Sequence, residues 1–326
     1  MRERIAALAE QLMRYPYKLW GFGEGIALEA LWQAAAFTGE KRYSDFVLRS
    51  YENWLAREIV EADHSASGWL LLALYQSQAD QRYLERALRL RHHMAGLPED
   101  PLNRARYHRP QHPHFSEYLY VDCMEVDAPF LARLGAVTGD TSCTDEAVQQ
   151  INAYAELLQD PASGLFYHQV DRSTRRVNGA FWGRGNGWAL LGLVKTLQLI
   201  PREHSGYEGL RNRLERLIAA LARTQQNSGG WSTVLDMPTT YQEASLPAMF
   251  AVGIYDACQH GFVAPQWLSV AQRARQRLLE LLHADGTMPG ISVATPPGDA
   301  PHYAAIPVAD SFPWGQGPAL LALMQP

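Results

Sequence analysis

Asp122 and Asp63 each stand just ahead of an apolar segment with helical spacing, and a carboxylate at the head of a helix points from a rim into whatever that helix lines. Paired carboxylates are the usual equipment for glycosidic chemistry. Crowding and desolvation raise the pKa of one member of such a pair, so that it stays protonated near neutral pH and can donate. The plainer reading of Asp122 is a helix N-cap, a position that Asp favours. Asp127, Glu117, Glu125, Asp236 and Glu243 compete for any acid role, so spacing alone does not choose among them.

The histidines extend this inventory. His64 adjoins Asp63, and His108, His112 and His114 fall in a polar stretch, GLPEDPLNRARYHRPQHPHFSEYLYV. Their spacing matches neither the H-E-x-x-H pattern nor a zinc finger, so they are expected to bond hydroxyls, and no metal site is expected. GRGNG is not a phosphate loop, because no strand precedes it and no Gly-Lys-Ser/Thr ends it. Its glycines are expected to turn the backbone sharply into a helix beginning near Trp188. Aromatic residues crowd the same connecting stretches: Trp20, Phe22, Tyr107, Phe115, Tyr118, Phe166, Tyr167, Phe181, Trp182, Trp188, Trp231, Tyr241, Phe312 and Trp314. Flat rings among Asp, His, Arg, Asn and Gln suit a pocket for a sugar, with about half of the rings expected to be packing only.

These residues must be positioned by helices. EGIALEALWQAAAF is apolar nearly all round, and an amphipathic YSDFVLRSYENWLARE follows it after a short turn. The pair recurs as SGWLLLALYQ with LERALRLRHHM, then as APFLARLGAV with DEAVQQINAYAELL, and more loosely twice again. The last apolar helix, GQGPALLALMQ, has no amphipathic mate after it, and the first amphipathic helix, RERIAALAEQLMR, has no apolar mate before it. An all-apolar helix must be buried, whereas a helix with a charged face can turn it to water. Alternation of the two types, with termini that complete each other, predicts an all-α (α/α)6 barrel over a single domain, 1–326. An open solenoid would need polar caps at both ends. In the closed form the loops leading into the inner helices share one mouth.

The bulk composition restricts partners. Of 326 residues 47% are apolar and 19% charged, which is ordinary for a globular chain. A net charge of -5 supplies no basic field for nucleic acid or an anionic membrane. Cys123, Cys143 and Cys258 are odd in number and widely spaced. They are expected to be buried thiols in a reducing compartment. The N-terminal stretch lacks a cleavable apolar core, and no later run approaches membrane-spanning length, so a cytoplasmic protein is expected.

Taken in order, DHSASG, VDCMEVDAPFLARLG, SGLFYHQVD, FWGRGNGW, EASLPAMFAVG and PWGQGPALLAL resemble the unsaturated glucuronyl and rhamnogalacturonyl hydrolases, glycoside hydrolase families 88 and 105. WGRGNGW leans towards family 105. The resemblance implies an (α/α)6 barrel that removes a 4,5-unsaturated uronic acid from the non-reducing end of lyase-generated oligosaccharides. It implies hydration of the vinyl ether, in which an aspartic acid protonates C4 and water adds at C5, with no metal or organic cofactor.

By that resemblance Asp122 is the acid/base and Asp63 its partner, while His168, Arg184 and Trp188 contact the sugar: the first bonds hydroxyls, the second is available to an anion and the third stacks. Phe22 lies near a family position where an aromatic packs on the sugar, and His64 and Trp314 occupy loops of the same mouth. The chain departs from the family's usual Met and small residue at Val126 and Asp127, and in RARYHRPQHPHFSEY. That insert makes Arg104, Arg106, Arg109, His112 and His114 candidates for contact with the next sugar, against the alternative of a solvated basic loop. A sugar epimerase would call for paired inner-helix histidines in place of acids. A non-catalytic carbohydrate binder would keep the pocket but not depend on Asp122.

Overall fold

The computed structural model describes residues 1–18, 22–59, 67–112, 115–296 and 298–326. Helices of two characters alternate along it. Those with one wet face are α1 (Arg2–Arg14), α3 (Lys41–Leu55), α5 (Gln81–Ala95), α7 (Thr141–Leu158), α9 (Tyr207–Thr224) and α11 (Leu268–Leu281). Between them run α2 (Phe22–Thr38), α4 (Gly68–Gln78), α6 (Cys123–Thr138), α8 (Gly183–Leu197) and α10 (Leu246–Gln259). A single-turn α12 (Ala300–Ala304) precedes the last, α13 (Pro313–Met324). The difference follows from sequence period. In α5 only Tyr83, Arg86, Ala87, Leu90 and Met94 are buried, one stripe at helical spacing, whereas every residue of α8 is buried. Asp80 and Asp140 start α5 and α7 by accepting from the backbone N–H of Arg82 and Ser142.

The apolar helices form a closed ring, α2 on α4, α4 on α6, α6 on α8, α8 on α10, α10 on α13, and α13 back on α2. The amphipathic helices wrap it, and α1 supplies the missing mate by packing on α13. This is the expected (α/α)6 barrel. Short strands, absent from the sequence reading, occur only in the connecting loops. β1 (Tyr118–Tyr120) pairs antiparallel with β2 (Gln169–Asp171), Tyr120 opposite Gln169, and β3 (Ile291–Ser292) pairs with β4 (Val308–Ala309). Among the described residues no helix is long and apolar enough to cross a membrane.

Charge is buried inside the ring. Lys195 Nζ lies 2.6 Å from Glu29 Oε2 and 3.0 Å from Glu125 Oε1, and 5.0 Å from the centre of the Trp69 ring. Asp256, near the end of α10, is pushed up to about 7 by burial and by the Glu29 charge, against the pull of Lys195. A carboxyl whose folded pKa exceeds its unfolded value stabilises the fold fully below the unfolded value and loses that contribution as pH rises through the folded one. Stability is therefore expected to decline through this group between pH 3.8 and about 7. Melting curves across that range should flatten for Asp256→Asn, and an unchanged slope would count against the assignment.

Candidate active site

Asp122 is not a cap. It has helical dihedrals, φ -55 and ψ -33, and its side chain makes no capping bond to α6. Its Oδ2 is buried, has no hydrogen-bond partner among the described residues, and lies 3.3 Å from His168 Nε2, within ion-pair reach but not aligned as a hydrogen bond. Buried polar atoms without partners are rare and commonly functional. The β1–β2 ladder creates the meeting: it continues as Val121 N–H to His168 C=O at 2.9 Å, which brings the residues that follow β1 beside the residue that precedes β2.

His168 is itself oriented from behind. Its Nδ1 is 2.6 Å from the Tyr303 hydroxyl, which accepts from Asn178 Nδ2 at 2.9 Å. With that lone pair occupied, the Tyr303 O–H is placed to donate to Nδ1, which assigns the His168 proton to Nε2, facing Asp122. Sequence reading missed Tyr303, because one tyrosine in APHYAA carries no pattern. Tyr303→Phe is expected to lower kcat by about 10- to 100-fold with little change in KM, through loss of imidazole aim. Initial rates over a substrate range test it, and an unchanged kcat removes the role.

The cavity above this pair, about 240 Å³, is lined by Gly23 and Glu24 of α2, the insert residues His108, Arg109, Phe115 and Tyr120, and Asp122 and Cys123. The other lining residues are His168, Trp182, Arg184, Trp188, Ala294, Thr295 and Trp314. Helix α8 begins at Gly183, so GRGNG lies inside the helix, not in a sharp turn before it as expected. Its glycines serve close approach instead. A Cβ on Gly185 would lie 2.6 Å from Val121 Cγ1, and one on Gly192, two turns on, 2.2 Å from the Met124 carbonyl oxygen. That proximity sets Arg184 and Trp188 beside the start of α6.

Arg184 differs from expectation. Its Nη1 donates to the Ser292 carbonyl and hydroxyl and faces Glu243 Oε1 at 3.4 Å, and its Nη2 donates to the Val293 carbonyl and Thr295 Oγ1 at 2.8 and 3.0 Å. Both terminal nitrogens are committed to the protein, holding the 291–295 segment against the cavity. Burial lowers the Arg184 pKa, with Glu243 and Asp122 opposing. The loop leading into α10 thus reaches the site indirectly, through Glu243. Trp314 donates Nε1–H to the Ser292 carbonyl at 3.0 Å and stacks on Phe312, centroids 4.4 Å apart.

The other candidates separate clearly. Glu125 is paired with Lys195, Asp127 with His108 at 2.7 Å and Glu243 with Arg184, while Asp236 and Glu117 are exposed. Burial disfavours the charged His108, but Asp127 and Cys123 overcome it and push its pKa up to about 10. Arg104 is exposed and paired with Glu99, and Arg106 is buried against Glu146, so neither lines the cavity. His112 packs on Phe115 with centroids 4.6 Å apart, outside the lining. Asp63, His64 and His114 lie outside the described residues, as does the Phe22 side chain. Of the predicted aromatics, Phe115, Trp182, Trp188 and Trp314 line the cavity, whereas Phe166 and Trp231 are fully buried packing. Tyr120 and Glu24 also line it and escaped the sequence reading. Among the described residues no group of three or more His, Cys, Asp and Glu is arranged to hold a metal ion.

A closed double ring of helices whose mouth holds an acid beside a histidine among aromatic side chains defines a carbohydrate-active enzyme of the (α/α)6 class. The chain belongs to Glycosyl Hydrolase Family 88, whose model matches residues 5–325, within the pair of families its motifs resemble. It is 25% identical over 98% of its length to the unsaturated rhamnogalacturonyl hydrolase YesR of Bacillus subtilis, covering 94% of that protein. The fold is shared with a possible member of the GH105 family from Salmonella enterica serovar Paratyphi A, with a TM-score of 0.91, 22% identity, and coverage of 99% and 92% of the two chains. It is shared too with a family 105 glycoside hydrolase from C. acetobutylicum, with a TM-score of 0.86, 24% identity, and 98% of each chain covered.

Proposed function

We propose that residues 1–326 act as one catalytic barrel that removes a 4,5-unsaturated uronic acid from the non-reducing end of lyase-generated oligosaccharides. The observation that carries this reading is that Asp122 lines an aromatic cavity, with its buried Oδ2 3.3 Å from His168 Nε2 and without a hydrogen-bond partner among the described residues. Asp122 gives a proton to C4, and the ring oxygen shares the positive charge that develops at C5. Water then adds at C5 and returns a proton to the Asp122 carboxylate. The C5–O5 bond of the hemiketal breaks, leaving a hemiacetal at C1 whose collapse frees the neighbouring saccharide as an alcohol and the uronic acid as an open-chain keto aldehyde. His168 turns its Nε2 to the Asp122 carboxyl, and Trp188 and Trp314 supply faces for the ring. The similarity to YesR supports the substrate class. The free thiols of Cys123, Cys143 and Cys258 support a reducing, cytoplasmic setting.

The test is optical. The conjugated C4=C5 bond absorbs at the ultraviolet edge and its hydration abolishes that absorbance. Incubation with unsaturated disaccharides from rhamnogalacturonan, ulvan and glycosaminoglycan lyases should bleach at least one of them. Absorbance that persists in every case, with the intact disaccharides recovered, would overturn the reading.

A further inference from the structure

Two arginines line the cavity, Arg109 and Arg184. A run of rings joins them: Phe115 to Tyr120 at 5.6 Å, Tyr120 to His168 at 5.6 Å, and His168 to Trp182 at 4.3 Å between centroids. Arg184 lies beyond one end, 4.7 Å from the Trp182 ring and 5.4 Å from Trp314. Arg109 lies beyond the other, 5.5 Å from the Phe115 ring. Asp122 meets the run at His168, in its middle. A glycoside with its reacting carbons at Asp122 therefore shares its cavity with both arginines.

The two cations are held for different work. Arg184 has both terminal nitrogens bound to the protein, which makes it a strut. Arg109 lines the cavity half-buried, with φ of 50, a left-handed conformation that a non-glycine residue keeps only when its surroundings impose it. A buried ion pair adjoins it. His108 Nε2 is 2.7 Å from Asp127 Oδ2 with both side chains buried, so the insert is pinned to α6 one turn below Asp122. The charge on His108 is fixed by that carboxylate. Asp127 and the insert are the two places where the sequence departs from the family it resembles, and here they touch.

We propose that Arg109, presented by the buried His108–Asp127 pair, is this chain's specificity residue and receives an oxyanion of the substrate, a carboxylate or a sulfate ester. Guanidinium is the side chain suited to such planar, charged acceptors. The proposal rests on the hydrolase reading of Asp122, and its substrate is an acidic oligosaccharide. The oxyanion belongs to the unsaturated uronate itself or to the sugar next in line, and experiment separates the two.

The test uses the full chain and two lyase-generated unsaturated disaccharides, one with a neutral second sugar and one whose second sugar carries a sulfate ester. Arg109→Gln is expected to raise KM by about 10- to 100-fold, the effect of losing one charged hydrogen bond. The same variant should leave kcat within about twofold, the sign of lost binding shared by ground and transition states. Arg109→Lys should recover part of the affinity. A rise confined to the sulfated disaccharide places the oxyanion on the second sugar, and a rise on both places it on the uronate. KM unchanged on both overturns the proposal. Asp127→Asn should reproduce the KM effect through His108, and if that variant fails to fold, Arg109→Gln decides alone. If the wild type turns over neither disaccharide, the hydrolase reading fails. Calorimetric binding of the same pair to wild type and Arg109→Gln then tests Arg109 separately, and equal affinities overturn it.

Discussion

Asp122→Asn is expected to lower kcat on an unsaturated disaccharide by about 10³- to 10⁴-fold, the range for loss of a positioned general acid and base. The amide has the shape of the carboxyl but no proton acidic enough for a carbon, and it cannot accept one from water at C5. Because Asp122 makes no capping bond, α6 keeps its start, and helicity should be unchanged. Among the described residues its Oδ2 makes no hydrogen bond that the amide would lose, so the melting temperature should hold. Loss of ultraviolet absorbance measures the rate, and scanning calorimetry the stability. A variant with a rate within about tenfold of wild type would remove Asp122 from the proton transfers, because general acid–base catalysis contributes at least about 10²-fold.

Lys195→Met should be the most damaging single change to the fold, costing about 3–5 kcal/mol, the price of breaking a buried ion pair by removing one partner. Glu29 and Glu125 then face each other in the ring without the Lys195 ammonium, and Trp69 keeps the Arg133 guanidinium 4.6 Å from its centre. The loss should grow with pH. Burial already raises the Glu125 pKa, with Glu29 adding to it and Lys195 opposing. Without Lys195 the opposing influence is gone and the folded pKa climbs further. Such a group binds its proton more tightly folded than unfolded, so its contribution is intact below the unfolded pKa and disappears as pH rises through the folded one. Urea denaturation at acid and neutral pH reads both features. Glu29→Gln added to Lys195→Met should restore part of the loss, and equal stabilities for wild type and the single variant would dismiss the ion cluster as a structural element.

The ring could be read from the chain because burial imposes composition. A helix surrounded by other helices, such as 183–197, tolerates no wet face, and EGIALEALWQAAAF and GQGPALLALMQ announce that directly. Asp122 was legible for a related reason, since a helix head beside a loop must point somewhere. The rest turned on contacts between residues far apart in sequence. Nothing in FWGRGNGW says that Arg184 will be held by Ser292 and Thr295, or that its glycines fit against Val121 and Met249. Nor does RARYHRPQHPHFSEY say which of its cations faces inward: Arg104 turns to solvent, Arg106 to Glu146 and Arg109 to the cavity. Tyr303 and Tyr120 escaped for the same reason: one sits in a single turn of helix and the other in a three-residue strand, both too short to show a period, and each meets His168 across the fold.

The contact of α13 with α1 and α2 bears on how the molecule comes into being. During synthesis the first ten or so helices can assemble only as an open crescent, with the apolar side of α2 bare to water until the segment through Met324 has emerged. Trp314 and Thr295 arrive with that same segment, so the substrate chamber is completed last, in the act that shuts the circle. Half-made chains are therefore both catalytically blank and sticky along one seam, which is where a chaperone would first find them.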